Sequence, residues 1–344
     1  MLPELTRVVP DRVLTPDDIS VAAGALLDPS VEDAQKADFL RAWAQRGETA
    51  VELAACAEAF LPRALDPGVR GSWNGKPLLD CCGTGGGGLN LINISTGLMF
   101  ILAAMGIPVV KHGNRGISKR SGSADVLEAM GLRIDLPPGE VSRCLEQVGC
   151  AFLFAPVYHT TFAVIAPVRK ALAAQGQRTV FNLLGPLLNP ARPEARLVGV
   201  FSRENVTLYR DALALMRCPR FTVACGQDAE SGKMIGEVSA QGENFLGGTL
   251  PLTELTRTPA YEPHEHIDSL LVRNADESAS RLERIFSGED QELARDTLLI
   301  NAAVASWTHG SAASLEEGLA QAEKALDSGA ALEKLRAWQK FSEK

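Results

Sequence analysis

From residue 81 to residue 124 the chain contains no aspartate or glutamate, while Lys111, Arg115, Lys119 and Arg120 all fall inside that stretch. It opens on Gly83-Thr84-Gly85-Gly86-Gly87-Gly88 and continues into Asn93-Ile94-Ser95-Thr96. A tight turn uses one or two glycines; four in series leave bare backbone that a ligand can approach closely. Glycine N–H groups, a helix N-terminus at residues 93–96 and nearby cations all favour an anion, and phosphate suits the combination. Ser95 and Thr96 taken alone could equally cap their helix. Two other phosphate readings fail on the residues themselves. A Walker loop closes on Gly-Lys-Ser/Thr, but here Leu89 and Asn90 follow Gly88. The letters Gly83-x-Gly85-x-x-Gly88 fit a dinucleotide fingerprint, yet the acid that would bind the ribose about 20 residues on is missing.

The elements that must hold these residues follow from the pattern around them. Thr15 before Pro16 and two acids reads as a helix start, and Phe39, Leu40 and Trp43 recur at helical spacing before Gly47. Thr49 with Glu52 three residues on predicts a capping box. Residues 15–65 therefore read as a helical unit. Asn74-Gly75 marks a turn, after which a short apolar strand enters the glycine loop. Beyond it, helix is expected over 95–105, 125–130, 168–174 and 203–216, alternating with strands at 107–110, 150–154, 196–201 and 221–225. That alternation predicts a mainly parallel sheet covered by helices. Helices such as LEEGLAQAEKALDSG close the chain.

Composition narrows the partners. The chain has 344 residues, 46% hydrophobic and 22% charged, enough for one large domain or two with no mark of disorder. A net charge of −8 argues against a nucleic-acid or anionic-membrane partner. The longest apolar run, residues 97–108, is about half a membrane span. The first residues, MLPELTRVVPDRV, lack the apolar centre of a signal peptide. Seven cysteines without a Cys-x-x-Cys pair fit reduced thiols in a cytoplasm, with Cys81 and Cys82 packing in a strand. No zinc spacing occurs, and His264 and His266 read as surface or hydrogen-bonding groups.

Four longer stretches are familiar in their types and order: GTGG with NIST, GIPVVKHGNRGISKRSGSADVLEAMG, FLFAPVYHTTFAVIAPVRKAL and FNLLGPLLNP. They resemble the anthranilate phosphoribosyltransferase family, closely over residues 13–250 and compatibly beyond. The resemblance implies an α/β fold class: a small helical domain over 1–76, joined by part of 160–195, and a large α/β domain over 77–344 with a mainly parallel central sheet carrying the phosphate loop. It implies a cytoplasmic homodimer that moves phosphoribosyl from phosphoribosyl pyrophosphate to the amine of anthranilate or a similar aromatic amine, with Mg2+, in tryptophan synthesis. Carried over by motif, Gly83, Thr84, Gly85, Gly86, Asn93, Ser95 and Thr96 would hold the donor's phosphates together with Lys111 and Ser123. Asn114, His112, His159, Arg169 and Gly185 would line the acceptor's channel, with Lys111, His112 and Arg169 nearest the chemistry. Glu237 and Ser95 would bind the metal.

This chain departs from the family's pattern on the donor side. The family's loop aspartate is Gly87 here, and two threonines are Leu91 and Leu188. The Asp-Glu metal pair is best matched by Gly236-Glu237, leaving one carboxylate. Asp228 and Glu230 read either as replacement ligands or as exposed loop acids. Two alternative functions share the resemblance: a nucleoside phosphorylase, and a paralogue with lost or changed activity that works by binding a ligand or nucleic acid.

Overall fold

The computed structural model describes residues 10–84, 89–116, 121–251, 254–256 and 266–343. Gly85, Gly86, Gly87 and Gly88 of the glycine loop, Lys119, Arg120 and His264 lie outside the described residues.

Three helices open the chain: α1 (Pro16–Leu26), α2 (Asp33–Arg46) and α3 (Ala50–Phe60). The expected capping box of Thr49 with Glu52 forms, Thr15 caps α1 as expected and adds a second box with Asp18, and Gly47 ends α2. Glu52 does more than cap. Its fully buried carboxylate also accepts the N–H of Leu14 and pairs with Arg46, fixing the chain before α1 against the end of α2. Ile19, Phe39, Leu40, Trp43, Leu53 and Phe60 turn inward to one core.

A two-residue hairpin joins β1 (Ser72–Trp73) to β2 (Lys76–Pro77); Asn74 and Gly75 both take positive φ, 50° and 76°, as that turn requires. The chain then alternates through β3 (Leu79–Gly83), α4 (Ile94–Ala104), β4 (Val109–Gly113), α5 (Ser123–Ala129), α6 (Pro138–Val148), β5 (Cys150–Phe154), α7 (Ala155–Tyr158), α8 (Ala166–Ala174), β6 (Ala195–Gly199), α9 (Arg203–Leu215) and β7 (Arg220–Gln227). Strands β8 (Met234–Ile235), β9 (Glu243–Gly248) and β10 (Glu254–Thr256) follow, then α10 (Ala275–Phe286), α11 (Leu293–His309), α12 (Leu315–Asp327) and α13 (Ala330–Ser342).

The sheet runs β10-β9-β7-β6-β3-β4-β5, with β8 beside β7. The five strands from β7 to β5 are parallel, and β8, β9 and β10 add an antiparallel edge. The sequence pattern predicts the parallel part and helices closing the chain, of which it delimits α12, and not this edge, nor α6 and α10. Helix α4 is apolar all round, with Leu98 to Leu102 fully buried, so it sits inside one face of the sheet against α11 and α13. The opposite face carries a second core, in which α1–α3 share side-chain packing with Ile165, Val168 and Leu172 of the α8 region and with α9. The helices at the start of the chain and the sheet are thus joined by packed apolar side chains.

Candidate active site

Strands β3 and β4 are parallel neighbours, and their carboxyl ends, Gly83 and Gly113, open into a cavity of about 1410 Å³. This is where parallel sheets place ligands. The cavity is bounded by the N-terminus of α4, the turn around residue 185 and the ends of α2 and α3. Gly83, Thr84, Asn93, Ser95, Lys111, His112, Asn114, Ser123, His159, Arg169, Gly185 and Glu237 all line it.

The two-residue period of β4 divides the work. Lys111 and His112 are consecutive, so their side chains leave opposite faces of the strand. Lys111 turns toward α4, donating to the carbonyl of Cys81 and to Ser95 Oγ at 3.2 Å. Near it stands Glu237, to which no described residue donates a hydrogen bond; burial pushes its carboxyl up to about 7 against the pull of Lys111. Lys111, Ser95, Glu237 and the start of α4 therefore make a polar end to the cavity that could hold oxyanions and a cation.

Gly199 controls that end. A Cβ there would lie 1.7 Å from the carbonyl oxygen of Gly236, the residue before Glu237. Backbone cannot yield as a side chain can, so Gly199→Ala should displace the Gly236–Glu237 segment. A cost of about 3 kcal/mol is expected from such overpacking. Thermal melting should show it, and unchanged melting together with unchanged pyrophosphate affinity would refute this account of the segment.

His112 lies on the other side. Its Nδ1 is 3.1 Å from the carbonyl oxygen of Gly185, and His159 Nε2 is 2.9 Å from that of Leu188. Carbonyl oxygens only accept, so those two nitrogens carry the protons. The rings meet edge to face at 5.1 Å, and His159 stacks on Phe162. Burial holds His112 at about 4 and His159 at about 3, so both are neutral at physiological pH. Arg169 completes this end. Its guanidinium sits 5.0 Å over the ring of Phe181, and no described residue pairs or hydrogen-bonds with it.

The buried histidines make stability depend on pH with a definite sign. As pH falls below 6.5 the unfolded chain takes up protons that the folded rings refuse, so stability present above 6.5 is lost on acidification and the loss ends near 3. Glu237, held high by burial, acts oppositely. The histidine contribution is therefore read as a difference. Wild type should lose about 2 kcal/mol more than His159→Gln between about pH 7.5 and about pH 5 in urea unfolding. Parallel profiles would contradict a buried neutral His159.

Several expectations change on contact with the structure. Ser95 and Thr96 do not cap α4: the helix starts at Ile94 with Asn93 as N-cap. The Thr96 hydroxyl is fully buried and off the cavity wall, so its side chain does not offer itself to a phosphate. Asn93 is engaged by protein, accepting from Ser121 Oγ and Ser278 Oγ at 3.1 Å each. Arg115, counted with the cations, is neutralised by Asp125 and Glu128, which lie just beyond the acid-free stretch. Asp228 closes a turn by accepting from Ser231, and Glu230 pairs with His266 on the surface, so neither reaches the cavity. The described residues hold no group of three or more His, Cys, Asp or Glu fit for a metal. Three contributors have no expectation behind them: Phe181 under Arg169, Phe201 against Gly236, and the buried Asp80. A lone acid in the apolar run Leu78–Cys82 was the one available signal for Asp80.

Comparison with known proteins shows the family. The family described as "Glycosyl transferase family, a/b domain" matches residues 75–332, and its "helical bundle domain" matches residues 3–64. An anthranilate phosphoribosyltransferase of Thermomicrobium roseum is 38% identical over 333 residues, covering 96% of this chain and 94% of the relative. The chain belongs to the anthranilate phosphoribosyltransferase family. The crystal structure of the Thermus thermophilus anthranilate phosphoribosyltransferase covers 100% of both chains at 34% identity with a TM-score of 0.88. That of Saccharomyces cerevisiae, in complex with PRPP and Mg, has a TM-score of 0.81 at 26% identity and covers 95% of this chain and 92% of its own. A helical N-terminal domain with an α/β domain and a mainly parallel sheet is thus the architecture this anthranilate phosphoribosyltransferase family member shares with its solved relatives.

Proposed function

We propose that the chain transfers phosphoribosyl from phosphoribosyl pyrophosphate to the amine of anthranilate and releases pyrophosphate. The observation that carries the reading is Arg169: a guanidinium on the cavity wall that no described acid pairs, resting on Phe181. An unpaired, largely desolvated guanidinium is costly, and a planar aromatic carboxylate answers both its charge and its fork. Phe162, Phe181 and His159 supply ring faces for such an acceptor.

The two ends of the cavity then take complementary parts. The bond from the anomeric carbon to the pyrophosphate oxygen breaks as a carbon–nitrogen bond forms, and charge grows on the departing group. Lys111, Ser95 and the first turn of α4 face that charge. An arylamine is neutral and nucleophilic at pH 7, so placement replaces a strong base. His112 suits this, since its bare Nε2 accepts an N–H and orients the nitrogen. Asn114 stands exposed at the end of β4 beside the same opening. Thr84, Asn93 and Ser123 frame the donor side, Asn93 chiefly by holding Ser121.

Magnesium fits the donor end by the chemistry of its groups: an unbonded Glu237 carboxylate and the Ser95 hydroxyl offer hard oxygen ligands. When bound it would neutralise charge on the pyrophosphate, whose oxygens and water would complete its shell. The reading includes a homodimer, a cytoplasmic setting and a division at 76/77 with part of 160–195 joining the helical unit. Seven cysteines, all free, agree with a reducing compartment, and Ile165, Val168 and Leu172 pack with the helices at the start of the chain. No helix among the described residues is long and apolar enough to cross a membrane.

Pyrophosphate should appear when the folded protein meets phosphoribosyl pyrophosphate, anthranilate and magnesium, and not when anthranilate is withheld. Silence across magnesium, manganese and cobalt would reject the reading. Nucleosides with phosphate, and a low-salt gel shift, test the phosphorylase and nucleic-acid alternatives in the same preparation.

A further inference from the structure

Beneath the acceptor end lies a buried polar cluster that the reaction as proposed does not use. Asp80 on β3 is 2% exposed and Asn189 is fully buried. Asn189 Nδ2 donates to Asp80 Oδ2 and to the carbonyl of Val110, each at 2.8 Å, and its Oδ1 accepts the N–H of Ala191 at 2.9 Å. Asp80 Oδ1 in turn accepts the N–H of His112 at 3.2 Å. One amide and one carboxyl thereby tie the 185–191 turn to β3 and β4. Arg196 adds a second tie, donating to the carbonyl of Pro186 at 2.7 Å.

That turn owns the two carbonyls that meet the histidines, Gly185 for His112 and Leu188 for His159. Where the turn sits therefore decides which nitrogen of each neutral ring carries its proton. His112 Nε2 is left bare, buried and without a partner among the described residues. Buried acceptors are almost always satisfied, so such an atom on a cavity wall points to a donor that arrives with a ligand.

We propose that Asp80 and Asn189 are a positioning pair: by locking the 185–191 turn they fix the tautomers of His112 and His159 and keep His112 Nε2 open to the N–H of an arylamine. This rests on the arylamine acceptor proposed above. Neither residue touches the acceptor. Loosening the turn lets the His112 ring reverse its tautomer, which would present an N–H to the amine where an acceptor is needed.

The chain has only five histidines, so side-chain ¹⁵N NMR of the labelled protein gives a sparse spectrum. Wild type should show His112 protonated at Nδ1 with a bare Nε2, and His159 the reverse. Adding anthranilate with inorganic pyrophosphate should shift the His112 Nε2 resonance. Asn189→Ala and Asp80→Asn should each show mixed His112 tautomers and an anthranilate KM raised about tenfold, one hydrogen bond's worth, with the donor KM within about twofold. A wild-type His112 protonated at Nε2 overturns the proposal. So does a folded variant that melts earlier yet keeps the wild-type tautomer and anthranilate KM. If neither variant folds, an Nε2 resonance indifferent to anthranilate and pyrophosphate overturns it. The ligand-free spectrum needs no turnover, so a protein that forms no product would defeat the proposed reaction without touching the tautomer result.

Discussion

Arg169→Ala is expected to raise the KM for anthranilate about 100-fold while leaving kcat within a few-fold, because the lost carboxylate contact is made equally before and during reaction. Two charge-assisted hydrogen bonds at about 1.5 kcal/mol each account for the size. The free protein gives the sharper sign. Burial lowers the pKa of Arg169, and no described acid compensates it, so removing it should leave the melting temperature level or raise it. A structural arginine would do the opposite. Arg169→Lys keeps the charge and loses the planar fork, and should fall between wild type and alanine. Initial rates with anthranilate varied at saturating donor decide the matter, and a KM unmoved in Arg169→Ala removes the acceptor assignment on which the proposed function stands.

What could be read from the residues was whatever local chemistry writes into adjacent positions. Thr49 and Glu52 announce a cap because the bonds they make close within three residues. The glycine run and the missing acids announce an anion because the cause and its signature occupy one stretch. Arg115 shows where a window misleads. Its partners Asp125 and Glu128 begin one residue after the acid-free stretch ends, so a cation counted as free is paired. Asp80 and Asn189 show the deeper limit. They are 109 residues apart, and only the parallel pairing of β3 with β4 brings the 185–191 turn over both. A buried polar pair obeys no periodicity, so the lone acid among Leu78–Cys82 can flag Asp80 but nothing near it names Asn189 as its partner. The antiparallel edge from β8 to β10 escaped for a similar reason, since its register is set by β7 rather than by its own pattern.

Gly236 also reads differently once packing is visible. As a sequence feature it is a lost carboxylate, yet a Cβ at that position would meet the ring of Phe201 at 2.5 Å. The ring occupies the space a side chain would need, so the donor wall is built around glycine rather than merely missing an acid. Glu237 remains there with its carboxyl unbonded among the described residues and its pKa near 7, the state of an acid that still wants a cation.

Lys111 should show the largest effect on rate. It is 2% exposed and it favours the charged forms of both Asp80 and Glu237. Lys111→Ala should cut kcat/KM for the donor about 10³-fold, the usual loss when one fixed donor to a developing negative charge is removed. Anthranilate binding should hardly change, because His112 and Arg169 leave by other faces. Stability should fall as well, because buried Asp80 and Glu237 lose the cation whose field favours their charged forms. Those two losses have separate causes and can be parted. In Lys111→Met with Asp80→Asn the field of Lys111 and the charge it favours at Asp80 are removed together, so melting should recover the electrostatic part of the loss, less what the loosened 185–191 turn costs. The rate should not recover, because nothing has restored a cation opposite the departing pyrophosphate. Recovery of both would mean that Lys111 serves the fold alone, and the donor end of the cavity would have to be assigned elsewhere.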